Sequence, residues 1–215
     1  MKLSPEVLMQ AYRLGFFPMA EARDSDELMW LKPKFRGIFP LDGFHVPRSL
    51  RKVVRQDRFT VKVDTAFEEV MRYCGSEEAG REETWINEEI LEVYSALHRE
   101  GVAHSVESWR GDRLVGGLYG VAIQGAFFGE SMFSLETDAS KVALCHLVAR
   151  LKQTGFTLLD TQFLTPHLAR LGGIEVPSEE YSALLAAAMK AEGRFTALPD
   201  QISGSSILQA ITQTS

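Results

Sequence analysis

Cysteine is scarce in this chain of 215 residues: Cys74 and Cys145 are the two that occur, each inside an apolar helical pattern and neither in a Cys-x-x-Cys pair. That leaves no disulfide framework or zinc site to expect, and both thiols read as small buried hydrophobes. Long apolar runs are missing as well. No stretch approaches the ~18 residues of a membrane-spanning helix. Met1–Glu6 lacks the charged and apolar regions of a signal peptide, so a cytoplasmic protein with no membrane partner is expected. His45, His98, His104, His146 and His167 include no pair at metal-ligand spacing, so each reads as a structural or surface residue and no metal is expected. Gly129-Glu130-Ser131-Met132-Phe133 is not a nucleophile elbow, because Phe133 stands where the second glycine is needed. Gly116-Gly117 and Gly172-Gly173 lack the pattern of phosphate loops and read as strand kinks or turns.

What is present is an ordinary globular composition, 45% apolar and 24% charged, enough to bury one sizeable core or one domain with a small extra lobe. The net charge of −6 argues against a nucleic-acid partner until its placement is considered. Lys32, Lys34, Arg36, Arg48, Arg51, Lys52, Arg55, Arg58 and Lys62 are opposed within residues 32–62 only by Asp42 and Asp57, an excess of +7 that leaves −13 for the rest of the chain. A basic lobe on an acidic body suits a protein that grips phosphates at one place, although a plain solvated basic helix has the same composition.

Local patterns predict an α+β fold, with a small N-terminal lobe over residues 1–60 and a mixed-sheet domain over 61–215. Ser4-Pro5-Glu6 is a helix start, with Ser as cap and Pro at the first helical position, and Gly15 should end that helix. A basic helix is expected from Arg48 to Arg55, a strand over Phe59–Val63, a helix capped by Asp64 and running to Cys74, and another capped by Asn87. His104–Val115 reads as a hairpin turning at Gly111. A long helix from Ala139 to Gln153 should precede a strand at Phe156–Asp160, a short helix at Pro166–Leu171, a strand at Gly173–Val176 and a last helix from Glu179. Residues 203–215 are expected to be a loosely held tail.

Polar residues embedded in apolar strands are the most informative feature. Glu130 lies among Phe127, Phe128, Met132 and Phe133, while Asp160 and Gln162 end the run Leu158-Leu159-Asp160-Thr161-Gln162. Residues two apart on a strand share a face, so Asp160 and Gln162 should project together, at a strand end of the kind where α/β sheets bind ligands. The plain alternative is that Asp160 caps a turn and Glu130 pairs with a surface base.

Several motifs in register resemble the leucyl/phenylalanyl-tRNA–protein transferase family. They are Gly15-Phe16-Phe17-Pro18, Phe44-His45-Val46-Pro47-Arg48-Ser49, Glu83-Thr84-Trp85-Ile86-Asn87, His104-Ser105-Val106-Glu107, Gly116-Gly117-Leu118-Tyr119-Gly120, Gly129-Glu130-Ser131-Met132-Phe133, Ala139-Ser140-Lys141 and Asp160-Thr161-Gln162. The resemblance covers residues 4 to about 190. It implies a small N-terminal domain joined to one related to the GNAT N-acyltransferases, and a monomer that uses no cofactor. It also implies an aminoacyl-tRNA donor carrying Leu or Phe, with Met as a further donor, and an acceptor protein whose first residue is Arg or Lys. The product would bear an N-terminal signal for degradation.

By the same resemblance, Asp160 and Gln162 form the catalytic pair, with Asp160 orienting and polarising Gln162, and Glu130 lies near the esterified residue. Leu118, Phe127, Met132, Leu144, Leu147 and Leu159 match an apolar pocket that admits Leu and Phe but crowds β-branched side chains. Trp85 matches an aromatic that stacks on the terminal adenine, with Tyr12 and Tyr94 as further contacts there. Arg48, Arg51, Lys52 and Arg55 would meet acceptor-stem phosphates. The chain departs from the pattern at Met19, where many members carry Trp, and at Leu118 and Leu147, where others carry Met or Phe. Two competing readings are an acyl-CoA-dependent N-acyltransferase and a non-enzymatic RNA-binding module. The first would need a glycine-rich pyrophosphate turn, and Leu135-Glu136-Thr137-Asp138-Ala139 offers two acids and no glycine there. The second would leave Asp160, Gln162 and Glu130 without a purpose.

Overall fold

A computed structural model describes residues 3–20, 28–76, 78 and 86–213. Ser4 caps helix α1 (Pro5–Arg13) as its sequence demands, accepting from the Val7 N–H at 3.4 Å. Strands β1 (Phe17–Ala20) and β2 (Leu28–Leu31) pair as a separate antiparallel ribbon. Then come β3 (Phe35–Phe39), α2 (Arg48–Arg55), β4 (Thr60–Val63), α3 (Phe67–Cys74) and α4 (Glu88–Arg99), the last capped by Asn87 Oδ1 accepting from the Ile90 N–H at 2.9 Å. The hairpin of β5 (Ala103–Arg110) and β6 (Arg113–Ile123) turns at Gly111, whose φ of 58° is cheap only for a residue without a Cβ. The chain continues through β7 (Ala126–Ser134), α5 (Ala139–Gln153), β8 (Leu158–Gln162), α6 (Pro166–Ala169), β9 (Ile174–Pro177), α7 (Ser178–Ala188) and α8 (Gly204–Thr212).

Among the described residues, seven strands form one sheet in the order β4-β5-β6-β7-β8-β3-β9. Every pairing is antiparallel except β7 with β8. The sheet takes an interior strand, β3, from within the segment read as the N-terminal lobe. Along β6, Leu118 falls in one apolar cluster and Tyr119 in the other, the alternation of a sheet covered on both faces. The first cluster brings in α2, α5 and α8 through Leu50, Leu147 and Ile207; the second brings in α1, α3, α4 and α7 through Leu8, Met71, Ile90 and Leu185. Cys74 and Cys145 are buried in these clusters, and burial pushes the Cys145 thiol up to about 12. No helix among the described residues is long and apolar enough to cross a membrane.

Three local expectations are corrected. Asp64 does not cap α3: its φ is 59°, and its carboxylate accepts from the Ser105 N–H at 2.9 Å and meets His104 Nδ1 at 2.8 Å. No side chain caps α3; Glu107 of β5 instead holds the turn that leads into it, accepting from the Thr65 and Ala66 N–H groups at 3.0 Å each. Strand β8 begins at Leu158, since the Phe156 N–H still bonds back to the Leu151 carbonyl in the turn that ends α5. The expected tail contains α8, whose Ile207, Leu208, Ala210 and Ile211 are buried.

Candidate active site

The site forms where two parallel strands part. β7 and β8 pair from Ala126/Leu158 to Phe128/Asp160 and no further. Just beyond, each strand carries an irregularity. On β7, Tyr119 pairs with Ser131 and Gly120 with Gly129, so Glu130 is the extra residue of a bulge. On β8, Gly37 pairs with Gln162 and Ile38 with Asp160, so Thr161 is the extra one. Bulges re-aim side chains next to sites of chemistry, and here they bring Gln162 Nε2 within 2.9 Å of Glu130 Oε1. Gln162 holds a left-handed φ of 63°, a conformation that costs a non-glycine residue of the order of 1–3 kcal/mol and persists where the surroundings impose it.

Asp160 and Gln162 therefore do not project side by side. The left-handed turn sends the Gln162 amide toward Glu130, while the Asp160 carboxylate, 0% exposed, points into the protein. There Arg36 donates from Nε at 2.9 Å and Nη2 at 2.7 Å, Tyr181 donates its hydroxyl at 2.6 Å, and the Gln162 backbone N–H donates at 2.7 Å. Arg36, 1% exposed, has its remaining Nη1 on the Gly15 carbonyl at 3.1 Å. Its guanidinium also lies over the rings of Phe17 and Tyr181, 4.5 and 4.7 Å from their centroids. Burial, then the neighbouring Asp160, pushes the Tyr181 hydroxyl well up, so it stays a donor. Arg36 is thus withdrawn from the basic surface on which its sequence position placed it.

Glu130 is held differently. Tyr12 donates to Oε1 at 2.5 Å, and the Tyr94 hydroxyl shares its one proton between Oε2 at 3.1 Å and the Tyr12 oxygen at 2.5 Å. Burial pushes the Glu130 carboxyl up to about 7, against the hydrogen bonds from Tyr12, Gln162 and Tyr94 that pull it down. Burial also raises both tyrosines well above their usual range, with the adjacent Glu130 adding to it. Tyr12 and Tyr94, expected at the adenine, are 0% exposed and hold Glu130 from beneath; neither has a ring face open to a base.

Above these groups opens a cavity of ≈ 440 Å³. Leu118, Met132, Leu144, Leu147 and Leu159 line it as expected, with Glu130 and Gln162 on its wall. Phe127 does not line it: the ring is buried and stacks on Phe195 at 5.4 Å, because its place on β7 turns it into the core. Phe17, Phe163 and His167 line the cavity without having been singled out, and Met19 faces it from β1, opposite Met29 of β2. Trp85 lies outside the described residues. Arg48, Arg51, Lys52 and Arg55 are all exposed on α2 and none of them lines the cavity. Arg36 and Tyr181 were missed; a charged residue in the apolar run Phe35-Arg36-Gly37-Ile38-Phe39 was the signal for the first.

Chemically, the lining offers the Gln162 amide, the Glu130 carboxyl, the His167 imidazole and the hydroxyl residues Ser131, Thr161 and Thr165 around an apolar pocket. Glu130, when ionised, only accepts hydrogen bonds, so it fixes the Gln162 amide with Nε2 inward and leaves Oε1 as the acceptor end. At the start of α5, Asp138 adopts a φ of 71° with its carboxylate on Lys141, leaving no glycine-lined cradle for a pyrophosphate.

The family model described as leucyl/phenylalanyl-tRNA protein transferase matches residues 38–186, and the model of that family's N-terminal domain matches residues 1–34. A leucyl/phenylalanyl-tRNA–protein transferase of Maricaulis maris is 56% identical over 210 residues, 98% of this chain and 97% of the relative. That of Rhodospirillum rubrum is 55% identical over 92% of this chain and 93% of the relative. A solved structure, L-PGS from Bacillus licheniformis, overlays at TM-score 0.40 and 16% identity over 77% of this chain and 55% of that one, too loose a likeness to carry an argument. These matches overturn the acyl-CoA alternative. The chain belongs to the leucyl/phenylalanyl-tRNA–protein transferase family.

Proposed function

We propose that this protein transfers leucine or phenylalanine, with methionine as a further donor residue, from aminoacyl-tRNA to the α-amino group of a protein that begins with Arg or Lys. The observation that carries this reading is the contact of Gln162 with Glu130 on the wall of an apolar cavity. The donor is an ester, so aminolysis runs downhill; the obstacle is an α-amine whose pKa near 8 keeps it largely protonated. In the transfer, the neutral amine attacks the ester carbonyl carbon and a C–N bond forms. The bond from that carbon to the ribose oxygen breaks, and the amine proton ends on that oxygen.

Gln162 Oε1 accepts a hydrogen bond from the attacking amine and orients it; an amide is too weak a base to remove the proton outright. Ionised Glu130 meets the ammonium group of the esterified residue. Asp160, its oxygens occupied by Arg36, Tyr181 and the Gln162 N–H, acts as a positioning residue that keeps Gln162 in its left-handed conformation. The leucines and Met132 receive the donor side chain, and α2 meets the acceptor-stem phosphates. The parting of β7 and β8 around the cavity supports a relation to the GNAT N-acyltransferase architecture.

The test incubates radiolabelled leucyl-tRNA with a model protein beginning with Arg, with acetyl-CoA as the competing donor. Label should move to the acceptor with the wild-type protein and about 100-fold more slowly with Gln162→Ala. No transfer from leucyl- or phenylalanyl-tRNA would overturn the reading.

A further inference from the structure

Residues 195–213 lie beyond the 38–186 segment that the family model matches, yet the fold binds them closely. Arg150 of α5, 3% exposed, donates to the carbonyls of Phe195 at 2.9 Å and Leu198 at 3.1 Å, and also to that of Pro199. Lys152, two residues further along α5, donates to the carbonyls of Ile211 at 3.1 Å and Gln213 at 2.7 Å and pairs with Asp42 at 2.9 Å. Two interior cations of the central helix are thus spent on the backbone of this one segment.

The segment ends in α8, which lies against α2. Ile207, Leu208 and Ile211 share a core with Leu50, Val53 and Val54, the buried side of the basic helix. The approach is closest at Gly204, where an added Cβ would sit 1.8 Å from the Val54 carbonyl oxygen. The Gly204 N–H donates to Asp57 Oδ1 at 2.6 Å, and the Asp57 N–H in turn donates to the Val54 carbonyl at 3.0 Å. Asp57 itself has a φ of 45° just past the end of α2. The last turn of α2 and the first of α8 are therefore one joint. At the other end, Arg51 of α2 and Leu208, Ile211 and Thr212 of α8 line a common groove of ≈ 190 Å³ with His45. An eight-residue helix has little stability alone, so what covers its buried side decides where its exposed side points.

We infer that the C-terminal segment 195–213 is a positioning element for the donor tRNA: it sets the basic face of α2 against the acceptor stem, and so governs affinity for tRNA and not the transfer step. This rests on the proposed assignment of Arg48, Arg51, Lys52 and Arg55 to acceptor-stem phosphates.

The test compares Gly204→Ala, Asp57→Ala and Asp57→Asn in the full-length protein, using leucyl-tRNA and leucyl-adenosine, a donor with no stem, side by side. Gly204→Ala and Asp57→Ala should raise KM for leucyl-tRNA about tenfold, lower the salt dependence of binding and keep kcat within about twofold. Asp57→Asn keeps the accepting oxygen and tolerates positive φ, so it should stay near wild type. Leucyl-adenosine should serve every variant equally well. Equal losses on both donors would mean general damage and overturn the inference, as would an unchanged KM for leucyl-tRNA in both Gly204→Ala and Asp57→Ala. If Arg51→Ala and Arg55→Ala leave that KM unchanged, the phosphate surface is elsewhere and the inference falls while transferase activity stands. A wild-type protein inactive with leucyl-tRNA would sink the activity itself.

Discussion

Asp160 on β8 and Glu130 on β7 are both drawn out of bulk water, and the fold treats them in opposite ways. Asp160 faces a guanidinium, a phenol and a backbone N–H, so its charge is matched and its oxygens are filled. Glu130 meets two phenols and an amide, all neutral, and its carboxyl is pushed up to about 7. A carboxylate buried beside a cation is a fixture; one held by neutral donors keeps a protonation change within physiological reach and is available for chemistry. Gln162 joins the two, its backbone on Asp160 and its side chain on Glu130.

The comparison breaks most visibly at Arg36. Arg36→Met leaves Asp160 buried without its cation and should cost about 3–5 kcal/mol in urea unfolding, with Arg36→Met/Asp160→Leu recovering most of it. A cost below ~1 kcal/mol would mean that Asp160 is not held as described.

Glu130 should show itself through pH. Its folded pKa of about 7 lies above the ordinary 4.5, so folding favours the protonated form: stability is highest below 4.5, falls as pH rises through this window and levels off above about 7. Glu130→Gln removes that slope, and its stability relative to wild type should improve by roughly 3 kcal/mol between about pH 4.5 and 8. In kinetics, kcat/KM should fall as pH drops below ~8 with protonation of the attacking amine and steepen below ~7 as the carboxylate is protonated too; Glu130→Gln should keep the first fall and lose the steepening.

Gln162→Gly sharpens the link between the two carboxylates. Removing the Cβ relieves the left-handed backbone by about 1 kcal/mol but also removes the hydrogen bond to Glu130, so stability should stay within about 1 kcal/mol of wild type while transfer falls about 100-fold. The smallest effect is expected where neither carboxylate is touched. Leu144→Phe narrows the apolar pocket and should shift the choice toward leucyl- over phenylalanyl-tRNA by about tenfold, read from competing donors, with folding little changed.

Much of the local structure was legible in the sequence. The Ser4 and Asn87 caps, the basic helix α2, the turn at Gly111 and the run of α5 followed from side chains acting within a few residues of themselves. Asp160, Gln162 and Glu130 stood out because polar groups in apolar strands are costly unless they serve something. Reading further failed where the deciding partner was remote. Asp64 has the composition of a cap, but His104 and the Ser105 N–H of β5 hold its carboxylate. Tyr12 and Tyr94 are 82 positions apart and meet only in the fold.

From the sequence alone, the starts of α1, α2, α4 and α5, the turn at Gly111 and the polar residues out of place in apolar strands could be read. Only the tertiary structure decided what those polar residues do. Arg36 lies 124 positions from Asp160, and no period or cap connects them. The twin bulges that aim Glu130 and Gln162 depend on strand register, which two distant segments set together. Whether residues 203–213 are a tail or a helix depended on the apolar side of α2, because a short amphipathic segment becomes ordered only where another surface completes its burial.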